Sequence, residues 1–173
     1  MKKGNTGGDS TKTGIEFEKN TDLKTALTSV PGYEVDMDGK VFIQGIYVAD
    51  LCAKYQFYKR FLEPRGVQWS GILSKRLLPD EALCVHKSKR VFIVEKKWQE
   101  TEGSVDEKLQ TCHFKKRQYA KLVNPTGYSV EYLFVLNDWF RKNRYRDVFE
   151  YIDEVGCKYY FGEVPLGFFF PSK

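Results

Sequence analysis

Two stretches hold residue types that can do chemistry together. They are Pro79-Asp80 and, after a gap of fourteen residues between Asp80 and Glu95, the end of the run Val91-Phe92-Ile93-Val94-Glu95-Lys96-Lys97. Side chains alternate along a strand, so Glu95 and Lys97 share one face while Lys96 and Trp98 point to the other. With Asp80 at the start of the partner strand, two carboxylates converge at the end of a buried sheet. There they repel each other and lose hydration, and a divalent cation between them relieves both costs. Oxygen-only ligands favour Mg2+, with Mn2+ as a substitute. A lysine two residues beyond such a carboxylate can orient or help deprotonate a water and stabilise charge building on a phosphate. This is phosphodiester hydrolysis, and it calls for no nucleotide cofactor. The mutual repulsion also predicts that removing one carboxylate raises folding stability.

Pro79-Asp80 with Glu95-Lys96-Lys97 resembles, residue for residue, the motif of the PD-(D/E)XK nuclease superfamily. The resemblance implies catalytic roles for Asp80, Glu95 and Lys97, with Asp80 and Glu95 as metal ligands. It also implies a restriction endonuclease-like core, an α/β fold whose mixed central β-sheet is flanked by helices as an α/β/α sandwich. Family members often carry a further acidic residue on the helix before the sheet. Within Gly14-Ile15-Glu16-Phe17-Glu18, Glu16 is the preferred candidate and Glu18 its competitor. Gln99 continues the alternation of Glu95 and Lys97 and is a candidate contact to the same phosphate or an ordered water. The implied substrate is double-stranded DNA, and the implied enzyme is a Type II restriction endonuclease that cuts a short palindrome as a homodimer. The alternatives are a structure-specific repair or recombination nuclease, resolvase-like, and a non-catalytic DNA-binding protein of the same fold.

The elements that must position these residues are legible in part. Residues 1–13 are Gly, Ser, Thr and Lys with little apolar content and read as a flexible tail, leaving 14–173 as a single domain. Ile15, Leu23, Leu27 and Val30 recur at helical spacing up to Pro31-Gly32. Asp38-Gly39 lies between two short apolar runs and predicts a hairpin. Leu51, Tyr55, Tyr58 and Leu62 predict a second helix over 49–62, and strands follow around 83–85 and 91–94. Ser104 and Glu107 have capping-box spacing and predict a helix running to Asn124-Pro125. The apolar run 130–136 then predicts a strand covered on both faces and reached by a right-handed crossover. A fourth helix over 147–155, a last strand over 158–161 and an aromatic tail at Phe168 to Phe170 complete the chain. That tail must be packed down or bound, and with the second helix it is a candidate dimer surface.

The chain has 173 residues, 42% hydrophobic and 29% charged, enough for one real core and with no apolar run of membrane-spanning length. The N-terminus lacks the apolar stretch of a signal peptide, which points to a cytoplasmic protein. Four separated cysteines form no Cys-x-x-Cys pair, and with two histidines they argue against a zinc site and for buried thiols. The net charge of +5 is unevenly spread: residues 54–76 hold six basic side chains against Glu63 alone. Within this stretch Arg65, Gln68, Lys75 and Arg76 are candidate DNA contacts, because Arg and Gln can read base edges. Lys115 and Lys116 on the predicted third helix are further candidates for phosphate contact. Plainer readings compete with several of these. The Glu95 to Lys97 segment could be a solvated strand exit, Glu16 and Glu18 could complement a helix dipole, and His113 fits a surface position better than a base.

Overall fold

The computed structural model describes residues 21–171. Seven strands form one sheet in sequence order: β1 (Tyr33–Val35), β2 (Lys40–Ile43), β3 (Ile46–Cys52), β4 (Glu81–Val85), β5 (Arg90–Lys97), β6 (Ser129–Leu136) and β7 (Lys158–Phe161). Strands β1 to β5 pair antiparallel, and β5, β6 and β7 pair parallel. The sheet is therefore mixed, as expected.

Parity along each strand sorts side chains into two cores. Cys52, Ala82, Cys84, Val91, Ile93, Val130, Tyr132 and Phe134 belong to the first core, under a π-helical segment (Phe57–Leu62), α2 (Val105–Leu109), α3 (Cys112–Val123) and α4 (Arg146–Glu154). Ala49, Leu51, Leu83, Val85, Phe92, Val94, Leu133 and Val135 belong to the second, under α1 (Leu23–Thr28) and the segment from Val164 through α5 (Leu166–Phe169). Helical layers thus cover both faces of the sheet. All four cysteines are buried free thiols. Phe169 of the aromatic tail is packed down, edge to face on Phe92 at 5.1 Å.

The hairpin forms around Asp38-Gly39. The Asp36 carboxylate accepts the backbone N–H groups of Asp38 and Lys40, both at 2.8 Å, and Gly39 takes a φ of 76° that an L side chain rarely adopts. The helix expected over 49–62 is corrected: its first four residues, 49–52, belong to β3. Ile46–Cys52 fills the gap between β2 and β4, hydrogen-bonding to both, and this pairing outweighs the local helical spacing. Helical structure starts only after the turn at Lys54, and it is wound as a π-helix that ends in Glu63-Pro64-Arg65 with Gly66 left-handed. The helix expected from Ser104 is also corrected. Ser104 makes no capping side-chain bond, and the helix breaks between α2 and α3, where the Thr111 hydroxyl donates to the Lys108 carbonyl at 2.7 Å. The helix expected to begin at Gly14 is described only as α1, so Glu16 and Glu18 lie outside the described residues.

A candidate active site at the end of β4 and β5

Asp80 sits one residue before β4 and Glu95 and Lys97 lie near the end of β5, so strand parity turns all three to the first core's face. The Lys97 ammonium is the meeting point. It lies 3.1 Å from Glu95 Oε2, 2.9 Å from the Lys96 carbonyl oxygen and 3.8 Å from Asp80 Oδ2. Asp80 is fixed from three sides: the Lys96 backbone N–H donates to Oδ2 at 2.9 Å, Lys54 Nζ donates to Oδ1, and Lys97 stands nearby. Burial pushes the Asp80 carboxyl pKa up, but the Lys97 charge and the hydrogen bonds from Lys54 and Lys96 outweigh it and hold the group below its usual value.

Glu95, 4% exposed, accepts from a second ammonium as well, Lys115 Nζ of α3 at 3.3 Å. The two carboxylates therefore face three lysines, Lys54, Lys97 and Lys115. Attraction to these cations opposes the repulsion between the carboxylates and predicts the reverse of the stability expectation drawn from sequence. Neither Lys54 nor Lys115 is identified by the motif as a partner of these acids. Lys54 arrives through a turn in which its own N–H donates to the Pro79 carbonyl at 3.0 Å and its φ is 50°, a left-handed conformation that non-glycine residues adopt mainly where structure imposes it. The signal for Lys115 was its place in the basic cluster of the crossover helix, but only the real break at Thr111 fixes which residues of that helix face the sheet.

The opposite face of the same strand ends holds a second charged group. Lys96 and Glu81, each 7% exposed, pair at 2.9 Å (Nζ to Oε2), and Glu81 Oε1 accepts the Leu23 N–H of α1 at 3.0 Å. Burial and a hydrogen bond with Asp22 push the Glu81 pKa up to about 7 against the pull of Lys96.

The other expected residues scatter. Gln99 is buried, its Nε2 donating to the Thr101 carbonyl at 2.7 Å, while its backbone exchanges hydrogen bonds with the Asn137 side chain. Arg76 is enclosed by Trp69, Tyr58 and Tyr55, with its guanidinium 4.5, 5.1 and 5.5 Å from the ring centres. It lies four residues from Asp80. Arg65 instead packs over Phe61 and Tyr128, its Nη1 donating to the Phe61 carbonyl at 2.9 Å, toward the far end of β4 where His86 meets Tyr128. Gln68 and Lys75 are exposed, and Lys116 Nζ donates to the Gly156 carbonyl at 2.6 Å. The structure thus joins Asp80, Glu95, Lys97 and Lys115, and separates Arg65 and Lys116 from them.

The donor set fits a hard divalent cation. Asp80, Glu95 and the Lys96 carbonyl present oxygen alone, and the fact that one ammonium already contacts this set shows that it attracts positive charge. Among the described residues no cluster of three or more His, Cys, Asp or Glu side chains converges, so the set is two carboxylates and a backbone oxygen. Among the described residues, too, no helix is long and apolar enough to cross a membrane. No curated protein and no solved structure matches the chain. Residues 36–145 match the sequence model of the PD-(D/E)XK nuclease superfamily domain, a span that runs from the hairpin through the crossover and contains Asp80, Glu95 and Lys97. With more than half its length matched, and with the motif residues gathered on one face of a mixed sheet between helical layers, the chain belongs to the PD-(D/E)XK nuclease superfamily.

Proposed function

We propose that the protein is a divalent metal-dependent endodeoxyribonuclease, a cytoplasmic Type II restriction endonuclease acting as a homodimer on a short duplex site. The observation that supports this reading most is the convergence of Asp80, Glu95 and the Lys96 carbonyl around the Lys97 ammonium. Asp80 and Glu95, with the Lys96 carbonyl, would hold Mg2+ or Mn2+, which when bound neutralises phosphate charge and polarises the phosphoryl group. Lys97 is placed to hold the attacking water by hydrogen bond and to stabilise the negative charge that grows on the phosphate oxygens. Lys54 beside Asp80 and Lys115 beside Glu95 add positive charge to the site, where a phosphate would be drawn in. Arg76, preorganised by its three aromatic neighbours and close to Asp80 in sequence, is the DNA-contact candidate from the basic stretch that this arrangement favours. Intact Asp80, Glu95 and Lys97 argue against a binding protein without catalysis.

The test is incubation of the protein and its Asp80→Ala variant with unmethylated phage DNA in Mg2+, in Mn2+ and in EDTA. Discrete fragments from the wild type with metal alone support the restriction reading. A smear, or a preference for branched over linear duplex, transfers the assignment to a structure-guided nuclease. Intact DNA under every condition refutes catalysis on duplex DNA.

A further inference from the structure

We infer that Lys96 and Glu81 are positioning residues that set the catalytic carboxylates from the reverse face of the sheet. The inference rests on the nuclease reading of Asp80 and Glu95, since it assigns the residues interleaved with them. The two pairs of neighbours are matched. Asp80 and Glu81 are consecutive at the start of β4, Glu95 and Lys96 are consecutive near the end of β5, and in each pair one side chain faces the first core and the other the second. Lys96 thus acts on both faces. Its backbone N–H donates to Asp80 Oδ2 at 2.9 Å and its carbonyl receives Lys97 Nζ at 2.9 Å, while its own ammonium is tied to Glu81 at 2.9 Å on the other side.

The antiparallel ladder between β4 and β5 pairs Glu81 with Val94 and reaches no further, so Asp80, Glu95 and Lys96 lie beyond the last paired residues. Beyond that point β5 is still held to β6 through Lys97, and the chain before β4 by the Lys54 N–H on the Pro79 carbonyl, but the ladder no longer joins β4 and β5 to each other. The Lys96 to Glu81 pair closes them by a side-chain link where the ladder stops. Glu81 then extends the link to a third element, because its Oε1 accepts the Leu23 N–H, a first-turn amide of α1 that has no partner within its own helix. One buried carboxylate therefore ties β4, β5 and α1 together directly behind the site.

Chemistry argues that this pair is kept for geometry. The positions face the second core beside Val94 and Leu83, where apolar side chains would bury at less cost than an ammonium and a carboxylate. Replacing such a pair by apolar residues of similar size is often neutral or stabilising, so stability gives a weak reason for retaining it. A small displacement of a reacting group, in contrast, can lower the rate a hundredfold.

The experiment compares wild type, Lys96→Met combined with Glu81→Leu, and Glu81→Gln. Melting temperature in EDTA, Mn2+ affinity by calorimetric titration and hydrogen exchange of the Lys96 amide are measured beside cleavage. The double variant is expected to melt at or above the wild-type temperature. Its Mn2+ affinity should fall about tenfold, its Lys96 amide should exchange faster, and its kcat should drop ten- to hundredfold with little change in KM for DNA. A further variant, Lys96→Arg with Glu81 in place, keeps the charge and should retain part of the Mn2+ affinity that the double variant loses. A double variant with wild-type Mn2+ affinity and wild-type Lys96 exchange overturns the inference, whatever its melting temperature. If that variant does not fold, the near-isosteric Glu81→Gln decides by the same titration and exchange. A wild type that binds Mn2+ through Asp80 but cuts no nucleic acid refutes the nuclease reading alone, because metal affinity and amide exchange still decide whether Lys96 and Glu81 position Asp80.

Discussion

Glu95→Gln in metal-free protein tests the electrostatic account of the site most directly. The substitution keeps the shape and one hydrogen-bond acceptor but removes a charge that is 4% exposed and contacts Lys97 at 3.1 Å and Lys115 at 3.3 Å. At an effective dielectric of about 20, each contact is worth roughly 5 kcal/mol of Coulomb attraction. Against this, removing the carboxylate returns a desolvation cost of several kcal/mol, and both ammoniums keep some contact with water to which they can relax. We expect a net loss of about 3 kcal/mol, which for a chain of this length lowers Tm by about 6–12 °C. The assay is thermal and urea unfolding in EDTA at neutral pH. The double variant Glu95→Gln with Lys97→Met should regain part of the loss, since it removes one of the two stranded cations. A Glu95→Gln protein that melts at or above the wild type would refute the reasoning and restore carboxylate repulsion as the dominant force.

Other perturbations follow from the same geometry. Asp80→Ala and Lys97→Ala should each abolish cleavage, with Lys97→Ala still binding Mn2+ in calorimetry because both carboxylates remain; retained cleavage by either variant contradicts the assigned roles. Glu81 should give stability a pH slope. Its folded pKa of about 7 lies above the usual 4.5 of a glutamate, so the folded state holds the proton more tightly. The contribution is full below about pH 4.5 and is lost as pH rises through 7, up to about 3 kcal/mol. Urea unfolding from pH 5 to 8 should show that decline in the wild type and a flatter profile in Glu81→Gln. Gly39→Ala should cost about 3 kcal/mol in chemical denaturation, because a Cβ there would lie 2.2 Å from the Leu51 carbonyl oxygen on a backbone whose φ is 76°.

The candidate trio of Asp80, Glu95 and Lys97 was legible in the sequence because its signal is local: a dipeptide starting one strand, a Glu-x-Lys ending the next, and alternation to bring them to one face. The hairpin at Asp38-Gly39, the doubly buried β6, α4 and β7 were legible for the same reason, since turn chemistry and apolar runs are written in consecutive residues. Residues 46–52 were not, because Leu51, Tyr55, Tyr58 and Leu62 carry a helical period whose first member serves a strand. Only the need for a partner between β2 and β4 decides that. Ser104 shows the opposite failure, a local capping signal that the broken helix leaves unused. Lys54 and Lys115 reach the site through a left-handed turn and a helix break, neither of which has a clear mark in one sequence. Lys96 and Glu81 could have been found by applying alternation to the reverse face, where opposite charges at matched positions imply a pair.

The sheet's strand order is the order of synthesis. Every strand lies beside its predecessor in the chain, so no pairing must wait for a distant segment to be threaded between two others. The longest closures are the connections from β3 to β4, from β5 to β6 and from β6 to β7, and all three carry helical segments that shorten the search. The trio itself is contained in one hairpin, from Asp80 to Lys97. A nascent chain can therefore pair the two strands bearing the proposed catalytic groups before β6 has been made, and the later parallel strands then bury a geometry whose register is already chosen.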